Sequence, residues 1–363
     1  MASHIDGTPA IVPSSTIATF PIGSFLENIA SRRDGTLLIS CMTSGEIFSL
    51  DPHSPDPQST LVKIHDFNTS TDEAIITPND SKIDSAEEPS PYGSSKQAEA
   101  IIESPNTPDI FYTFSGSHGK PGTWSVFSID LRSFSQSSGP SSIQVSKVAD
   151  VPTATWLNGG TILPQTKTLL MAESSQGQII SCDLKSGKVE IWLEHERLGK
   201  PAGSQSAAWP GINGVRYYKG NVFATVSEQG IMVRAKVDET TGKYVDGTLD
   251  VVVEGLTGDD MAFDVEGNGY VATNPSQSVL KFPGLGLGVR KFNGKDDGRL
   301  RVVGGADVAE TAGPTALAFG RTENDRSSLY ITTTGGLVVP VGDGPGLARI
   351  VRADVGARGD TLA

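Results

Sequence analysis

The sequence predicts an all-β protein that folds as a six-bladed β-propeller. One pattern recurs six times: a polar residue opens an apolar strand, a turn leads to a second apolar strand, and a glycine-containing turn leads to a third. The openings lie 72, 59, 55, 46 and 56 residues apart, which fits one four-stranded antiparallel sheet per repeat plus loops of variable length. No long apolar run has a period of about 3.6 residues, so we expect few and short helices.

The repeats follow one another along almost the whole chain. Their openings are Glu27, Glu99, Asn158, Asn213, Asp259 and Thr315. Each contains a short apolar or aromatic run that suits a strand buried between sheets, and these runs are TLLIS, DIFYTF, TLLMA, NVFATV, GYVAT and SLYITT. Since a propeller closes by pairing its ends, STIATF (15–20) and ARIVRADV (348–355) are predicted to share the last blade. A β-sandwich with similar hairpins is the alternative fold.

The repeats predict a single domain over residues 15–357. An N-terminal tail of residues 1–14 and a C-terminal tail of residues 358–363 flank it. A ring of blades is one cooperative unit, and 363 residues is an ordinary length for it. Residues 66–97 form a polar insertion, which is predicted to be either a disordered surface loop or a lid over a site.

Composition and charge exclude several classes of function. The formal net charge is −13 and Lys and Arg are not clustered, so we expect no nucleic-acid partner and no anionic membrane surface. The N-terminus lacks a basic stretch followed by an apolar core, and no segment approaches about 18 apolar residues. We therefore expect a cytoplasmic protein without a membrane partner, and a homo-oligomer is compatible with the sequence. Cys41 and Cys182 are predicted to be buried free thiols, with a disulfide or metal pair as the alternative.

The residues that open the repeats predict a site at the propeller axis. The innermost strands of a propeller start at one mouth of the central channel, and every opening here carries an oxygen-bearing side chain, with Asp260 beside Asp259 in the fifth repeat. A dry channel would have apolar openings, so this ring predicts a wet channel that holds a ligand or an ion. Carboxylate and amide oxygens suit a hard cation such as Ca²⁺. Local capping of strand ends by Asn and Asp is the alternative.

Aromatic residues precede several members of this ring. Phe25, Trp156 and Trp209 stand two to four residues ahead of ring positions, where they could line an apolar mouth above a polar floor. Ordinary packing between blades is the alternative for each of them. No CxxC, HExxH, GxSxG or P-loop motif occurs, so a zinc site, a serine triad and a phosphate loop are not predicted.

Five runs resemble the fungal branch of the senescence-marker-protein, gluconolactonase and regucalcin-like propellers over about residues 15–355. They are LENIASRRDGTLLIS, LNGGTILPQTKTLLMAESSQGQI, GINGVRYYKGNVFATVSEQGIMVR, DDMAFDVEGNGYVATN and GPTALAFGRTENDRSSLYITTTGG. The resemblance implies a divalent metal held by Glu27, Asn213 and Asp259, with Asn158 contacting substrate. Two departures weaken the metal assignment: the family's Gly-Pro after the glutamate is Asn28-Ile29 here, and its glycine after the aspartate is Asp260.

A second resemblance points to another reaction class. Fungal propellers of this branch include proteins that resemble secondary-metabolite enzymes, which join a reactive quinone methide to a terpene alkene by hetero-Diels-Alder cycloaddition. This resemblance implies a small apolar substrate and no required cofactor. The catalytic candidates are Glu27, Asn158, Asn213 and Asp259. The substrate-contact candidates are Phe25, Glu99, Trp156, Trp209, Asp260, Thr315 and Asn274, which ends the run DDMAFDVEGNGYVATN.

Three functions are thus carried forward. The favoured one is a non-redox cyclase or hetero-Diels-Alderase that uses an aromatic-rimmed axial pocket. The second is a lactonase or esterase in which Ca²⁺ or another divalent ion polarises a carbonyl group, with a lactone-like substrate. The third is a binding propeller without chemistry, which the polar ring argues against.

Overall fold

The computed structural model describes residues 11–69, 95–204, 206–288, 290–294 and 297–360. These residues form six antiparallel sheets, and the innermost strand of each sheet contacts those of its two neighbours around a closed ring. The six-bladed propeller predicted from the repeats is therefore confirmed. Residues 1–10, 70–94 and 361–363 lie outside the described residues, and with them most of the predicted insertion and part of both predicted tails. The predicted domain boundaries stay predictions.

The first three blades each contain four strands in sequence order from the axis outwards. Strand β1 (Ser14–Phe20) precedes them and belongs to the last blade. Blade 1 comprises β2 (Leu26–Ser31), β3 (Leu37–Cys41), β4 (Glu46–Leu50) and β5 (Val62–Asp66). Blade 2 comprises β6 (Gln97–Glu103), β7 (Ile110–Gly116), β8 (Ser125–Asp130) and β9 (Gln144–Asp150). Blade 3 comprises β10 (Leu157–Leu163), β11 (Thr168–Glu173), β12 (Gln178–Asp183) and β13 (Val189–Glu194).

The other three blades follow the same plan, with one addition in blade 4. Blade 4 comprises β14 (Ile212–Tyr218), β15 (Asn221–Val226), β16 (Ile231–Asp238), the short β17 (Lys243–Tyr244), which pairs with the end of β16, and β18 (Asp250–Glu254). Blade 5 comprises β19 (Met261–Phe263), β20 (Gly269–Thr273), β21 (Ser278–Phe282) and β22 (Leu300–Gly304). Blade 6 comprises β23 (Pro314–Phe319), β24 (Ser328–Thr333), β25 (Ala348–Asp354) and, outermost, β1.

The two ends of the described chain close the ring in blade 6. Strand β1 pairs antiparallel with β25, so that Phe20 lies opposite Ala348 and Ser14 lies opposite Ala353. This confirms the predicted pairing of the terminal strands. Helices in the described residues are single 3-10 turns at 57–60, 140–142, 196–198, 285–287 and 309–311, and none of these could cross a membrane.

The hydrophobic core is divided into six clusters, one between each pair of neighbouring blades. In the cluster between blades 6 and 1, Leu26 of β2 packs with Phe20 of β1 and Ile350 of β25. Both cysteines are buried and unpaired, as predicted. The apolar residues thus fill the spaces between the blades.

Ring closure should depend on the apolar contacts of β25. We expect Ile350→Ala to lower the free energy of unfolding by about 2–5 kcal/mol, since this fully buried side chain belongs to the apolar cluster between blades 6 and 1 and its removal leaves a cavity. Urea denaturation followed by circular dichroism measures this. The matched control is Ile191→Ala on β13, whose side chain is exposed and whose loss should cost less than about 0.5 kcal/mol. Equal effects of the two substitutions would contradict the assigned role of β25.

Candidate active site at the propeller axis

Five of the six predicted ring residues lie in β-bulges near the start of the innermost strands, whereas Asp259 lies two residues before β19. In β2, β6, β10, β14 and β23 the pairing register with the next strand shifts close to the first residue. The residues within these shifts include Glu27, Glu99, Asn158, Asn213 and Thr315. A bulge interrupts the alternation of side chains along a strand and re-aims them. The bulges therefore place one polar residue from each of these five blades at the same end of the inner strands.

Two glycines next to the ring asparagines allow the inner strands to approach closely. A Cβ atom on Gly159 would lie 2.6 Å from the carbonyl oxygen of Asn213, and one on Gly214 would lie 2.7 Å from the carbonyl oxygen of Asp259. Neither position has room for a side chain. This explains the Asn-Gly pairs in the sequence: the asparagine faces the channel while the glycine abuts the next strand.

A cavity of about 420 Å³, here called the upper cavity, opens at this end of the axis. It brings together eight of the predicted site residues from blades 1, 3, 4 and 5: Phe25, Glu27, Trp156, Asn158, Trp209, Asn213, Asp259 and Asn274. Met42, Pro210, Leu337 and Val338 add to its apolar lining. The cavity thus has aromatic and aliphatic walls above a floor of carboxyl and amide groups. The catalytic and substrate-contact roles of these residues remain predictions.

Three predicted substrate-contact residues, Glu99, Asp260 and Thr315, do not line the upper cavity. The Thr315 hydroxyl donates to the carbonyl oxygen of Leu26 over 2.6 Å, which joins blade 6 to blade 1. Glu99 is fully buried, and Asp260 takes part in an ion pair described below. Thr315 and Asp260 thus bond to neighbouring inner strands, and the substrate-contact roles of all three residues stay predictions.

Arg216, which was not predicted from the sequence, is the partner of Asp260. Its guanidinium group donates to the Asp260 carboxylate over 2.7 Å, to the carbonyl oxygen of Met261 over 2.9 Å and to that of Gly160 over 3.1 Å. Arg216 thereby connects blade 4 to blades 3 and 5. The sequence signal that could have identified Arg216 is a charged residue at a buried position of the strand INGVRYY.

Asn28 extends this connection to the remaining blades. Its amide nitrogen donates to the Asp260 carboxylate over 2.9 Å, and its amide oxygen accepts from the backbone N–H of Ile101 over 3.3 Å. The backbone N–H of Asp260 donates to the carbonyl oxygen of Thr315 over 2.9 Å. The group Asn28, Arg216 and Asp260, here called the axial belt, therefore makes hydrogen bonds to all six blades. Asp260 is a structural member of the belt, with its charge offset by Arg216.

The other three axial acids have raised pKa values. Burial raises the pKa of Glu27 well above its usual value, and the charges of Glu99 and Asp260 raise it further. Burial and the charge of Glu27 raise the pKa of Asp259 in the same way. The pKa of Glu99 is raised by burial and then by Asp259, against a hydrogen bond from the Trp156 indole. These carboxyl groups therefore favour the protonated form, which can donate a hydrogen bond.

Trp156 forms a wall of the upper cavity that is fixed from several sides. Its backbone N–H donates to the Glu173 carboxylate over 3.0 Å, and its ring meets the His118 ring edge-on, with 4.6 Å between the centroids. Burial and the nearby charge of Lys200 lower the pKa of His118 to about 4, so that this ring is neutral at physiological pH. The neutral His118 ring packs against the indole, and the bond to Glu173 fixes the backbone that carries it.

Two loops supply the other walls. Trp209 is half-buried, and its backbone N–H donates to the Ser206 hydroxyl over 3.1 Å, while the Lys200 ammonium group donates to the Ser206 carbonyl over 2.6 Å. Across the mouth, Leu337 and Val338 come from the loop between β24 and β25. These two residues were not predicted from the sequence, because an apolar loop carries no motif that separates it from a strand.

The floor of the upper cavity has the donor chemistry for a hard divalent cation. The side-chain oxygen of Asn213 and one carboxylate oxygen of Asp259 are buried and have no hydrogen-bond partner among the described residues. Glu27 adds a second carboxyl group beside Asp259. The described residues contain no metal-binding cluster of three or more His, Cys, Asp or Glu side chains, and the predicted set consists of two carboxylates and one amide, a residue type outside that definition. Their carboxylate and amide oxygens are donors of the type that binds Ca²⁺.

The chain is distantly similar to two proteins that are named as hetero-Diels-Alderases. No protein-family model matches the chain. A protein of Phoma sp named "Putative hetero-Diels-Alderase" is 23% identical over 341 residues, which covers 88% of this chain and 86% of that protein. A "Putative hetero-Diels-Alderase asR5" of Sarocladium schorii is 24% identical over 356 residues, which covers 91% of this chain and 80% of that protein.

Solved structures show the same fold at low sequence identity. A luciferin-regenerating enzyme superposes with a TM-score of 0.63 at 14% identity and covers 96% of this chain and 97% of its own. A calcium-binding regucalcin of Agrobacterium tumefaciens superposes with a TM-score of 0.58 at 14% identity, covering 96% of this chain and 95% of its own. These likenesses confirm the fold part of the regucalcin-like resemblance.

The raised pKa values predict how stability depends on pH. An unfolded Glu titrates near 4.3, so the folded state binds more protons above that pH, and the free energy of unfolding should fall as pH rises through the raised pKa of Glu99. Glu99→Gln removes this titration. The difference in free energy of unfolding between parent and variant should therefore shift in favour of the variant from pH 5 to pH 8. The shift should be about 1.4 kcal/mol for each tenfold difference in the proton affinity of Glu99 between the folded and unfolded states.

Urea denaturation at both pH values, in the presence of a chelator, measures this difference. The control is Glu190→Gln on β13, whose side chain is exposed and should show no such dependence. A Glu99→Gln effect that is equal at pH 5 and pH 8 would contradict the protonation assigned to the axial acids.

Proposed function

We propose that the chain is an enzyme of secondary metabolism that catalyses a hetero-Diels-Alder cycloaddition in the upper cavity. The partners would be a quinone methide-type heterodiene and a terpene alkene. The observation that carries this proposal is the union, in one cavity, of aromatic walls with a floor of hydrogen-bonding groups. The names of the two distant relatives support the same reaction class.

The chemistry of this reaction asks little of the protein beyond placement and polarisation. Four π electrons of the heterodiene and two of the alkene become two new σ bonds, one carbon–carbon and one carbon–oxygen, and one new π bond within the former heterodiene. All atoms are retained, no electron leaves the reactants and no proton is transferred overall. Holding two partners in a reactive geometry replaces a bimolecular encounter, and this alone can lower a barrier by several kcal/mol.

The walls of the upper cavity suit the placement step. Phe25, Trp156 and Trp209 present flat apolar surfaces at the mouth, and Trp156 is fixed by Glu173 and His118. A rigid indole constrains which face of a planar heterodiene meets the alkene. We infer that these rings set the stereochemistry of the product.

The floor suits the polarisation step. The carbonyl oxygen of a quinone methide gains negative charge as the ring closes, so a hydrogen bond to it strengthens in the transition state. Protonated Glu27 or Asp259 can donate such a bond, and the Asn158 amide lines the same cavity. Loss of one preorganised donor of this kind costs about 10²–10³ in rate in other enzymes.

The proposal predicts that the rim tryptophans matter more than a metal. We expect Trp209→Ala to lower the rate of cycloadduct formation by tens-fold, because about 100 Å² of aromatic contact is worth about 2.5 kcal/mol if it is realised in the transition state. Trp156→Phe should lower the enantiomeric excess while retaining most of the packing. The assay follows cycloadduct yield and enantiomeric ratio against the spontaneous reaction.

The matched control is Trp192→Phe, because Trp192 lies outside the upper cavity and donates its indole N–H to the carbonyl oxygen of Gly242. It should leave yield and enantiomeric ratio unchanged. If folded Trp209→Ala and Trp156→Phe proteins also behave as the parent, the tryptophans only pack the blades and the cycloaddition proposal fails.

A metal-dependent lactonase or esterase is the second candidate, and the unpartnered oxygens of Asn213 and Asp259 favour it. Glu27, Asn213 and Asp259 would hold the ion, and a bound divalent ion supplies Lewis-acid polarisation of a lactone carbonyl. The Asn158 amide would then orient the substrate above the floor. Glu27 and Asp259 would be ionised in that state, because a divalent cation favours the charged form of adjacent carboxyl groups.

The two candidates differ in their response to chelation and to one substitution. For the lactonase, Asp259→Asn should weaken calcium binding at least tenfold and abolish lactone hydrolysis, because a charged ligand becomes neutral while the shape is kept. Calorimetric calcium titration and a lactone panel measure both effects, with the exposed Asp246→Asn as control. Hydrolysis that survives exhaustive chelation would remove this candidate, and ligand binding without any turnover would contradict both enzymatic functions.

A further inference from the structure

Exposed apolar side chains concentrate at one side of the mouth of the upper cavity. Ten large apolar side chains are exposed in the described part of the chain. Four of them lie in the loop that follows β1 and the loop between β24 and β25: Ile22 (63% exposed), Val338 (39%), Val339 (46%) and Leu347 (40%). These four residues are here called the apolar track.

Strand pairing brings two members of the track together. Phe20 lies opposite Ala348 at the last paired position of β1 and β25, so Ile22 and Leu347 are at the same end of that strand pair. This end is the one that faces the upper cavity, because Gly23, directly after Ile22, lines the cavity.

Backbone hydrogen bonds hold the other two members in place. The N–H of Gly346 donates to the carbonyl oxygen of Gly335 over 2.7 Å, which closes the loop that carries Val338 and Val339 beside Leu347. The Gln277 side-chain amide donates to the carbonyl oxygen of Val339 over 2.7 Å. The loop is thus fixed through its backbone while the two valine side chains remain exposed.

The apolar track adjoins the wall of the upper cavity at Val338. Val338 belongs to both surfaces, since it lines the cavity and is also exposed, and Leu337 lines the cavity directly before it. Across the gap, the Thr43 hydroxyl donates to the carbonyl oxygen of Gly23 and accepts from the N–H of Phe25. Both hydrogen bonds of the Thr43 hydroxyl are thus made with backbone atoms of the cavity wall.

The opposite side of the mouth has a different character. The loop that carries Trp209 presents Lys200, whose ammonium group is bound to Ser206, and Ser204, whose hydroxyl bonds to the carboxylate of Glu228. None of the ten exposed apolar residues belongs to this loop. An apolar molecule that extends from the cavity therefore finds a compatible surface on the blade 6 side.

We propose that the apolar track carries the hydrocarbon chain of a substrate that is too long for the upper cavity. The substrate class is an amphiphile, with a polar end at the carboxyl and amide floor and an aliphatic chain that leaves between Gly23 and Val338. This inference rests on the proposed function in that it assigns the substrate to the same cavity. Each methylene group placed on the track should strengthen binding by about two- to fourfold.

Binding of unreactive alcohols tests the track without any dependence on catalysis. The probes are 1-hexanol, 1-decanol and 1-tetradecanol, and their affinities are measured by calorimetry on the full chain. The test variant is the double substitution Ile22→Ser and Val339→Ser, in which neither residue lines the cavity. The control is Val245→Ser on blade 4, an exposed valine remote from the axial site.

The expected result is an affinity that rises with chain length in the parent and in the control. The double variant should bind 1-hexanol as the parent does and 1-tetradecanol at least tenfold more weakly. Equal affinities of parent and double variant for 1-tetradecanol would overturn the proposal, as would a parent affinity that stops rising at 1-hexanol.

Two further measurements distinguish substrate binding at the track from self-association and from the reaction itself. Sedimentation analysis that shows a dimer in the parent and a monomer in the double variant would assign the surface to a second copy of the chain and overturn the proposal. Turnover is assayed on the same proteins. If cycloaddition is normal but the track does not contribute to alcohol binding, the proposal for the track fails and the proposed reaction stands. Chain-length-dependent binding without turnover supports the track and contradicts the proposed reaction.

Discussion

The structure depends on one buried ion pair at the propeller axis, that of Arg216 with Asp260. Each charge would be costly to bury alone, but the guanidinium group meets three acceptors and the carboxylate also accepts from Asn28. Loss of either partner would leave the other charge buried, which costs about 3–5 kcal/mol in proteins generally. Because the belt makes hydrogen bonds to every blade, it sets the spacing of the inner strands and forms a base beneath the upper cavity. On its other side lies a cavity of about 130 Å³, which Arg216 also lines.

The belt also explains why the axial acids differ from one another. Asp260 has a cationic partner, whereas Glu27, Glu99 and Asp259 are buried beside other acids, which raises their pKa values. The same small region therefore holds one carboxyl group paired with a guanidinium group and three that favour protonation. The bulges that carry the polar ring and the glycines that let the inner strands approach both serve this arrangement. Protonated acids suit the polarisation of a carbonyl group, and ionised ones suit a cation, so occupancy of the floor by an ion would decide which chemistry is available.

The sequence predicted the fold and much of the cavity because both repeat. Six copies of one pattern identify six blades, and equivalent positions in a ring of blades must meet at one end of the axis, as Glu27, Asn158, Asn213 and Asp259 do. The parts that were missed do not repeat. Arg216 occurs in one blade only, its contact with Asp260 joins residues 44 positions apart, and nothing local indicates that pairing. Leu337 and Val338 belong to a loop specific to blade 6. Thr315 occupies a ring position, yet its hydroxyl bonds to the carbonyl oxygen of Leu26 in the next blade, a contact that a linear pattern does not encode.

The pairing of β1 with β25 has a consequence for the order in which the molecule folds. The two strands are separated by nearly the whole described chain, and Ser14 meets its partner only at Ala353. Blades 1 to 5 are each made from one continuous stretch and can form hairpin by hairpin during synthesis, whereas blade 6 must wait for its last strand. Until then β1 has no partner strand and the edge of β24 is open, so the nascent ring presents two strand edges that invite pairing with other chains. The ribosome-bound intermediate is thus the stage at which this protein is most exposed to aggregation.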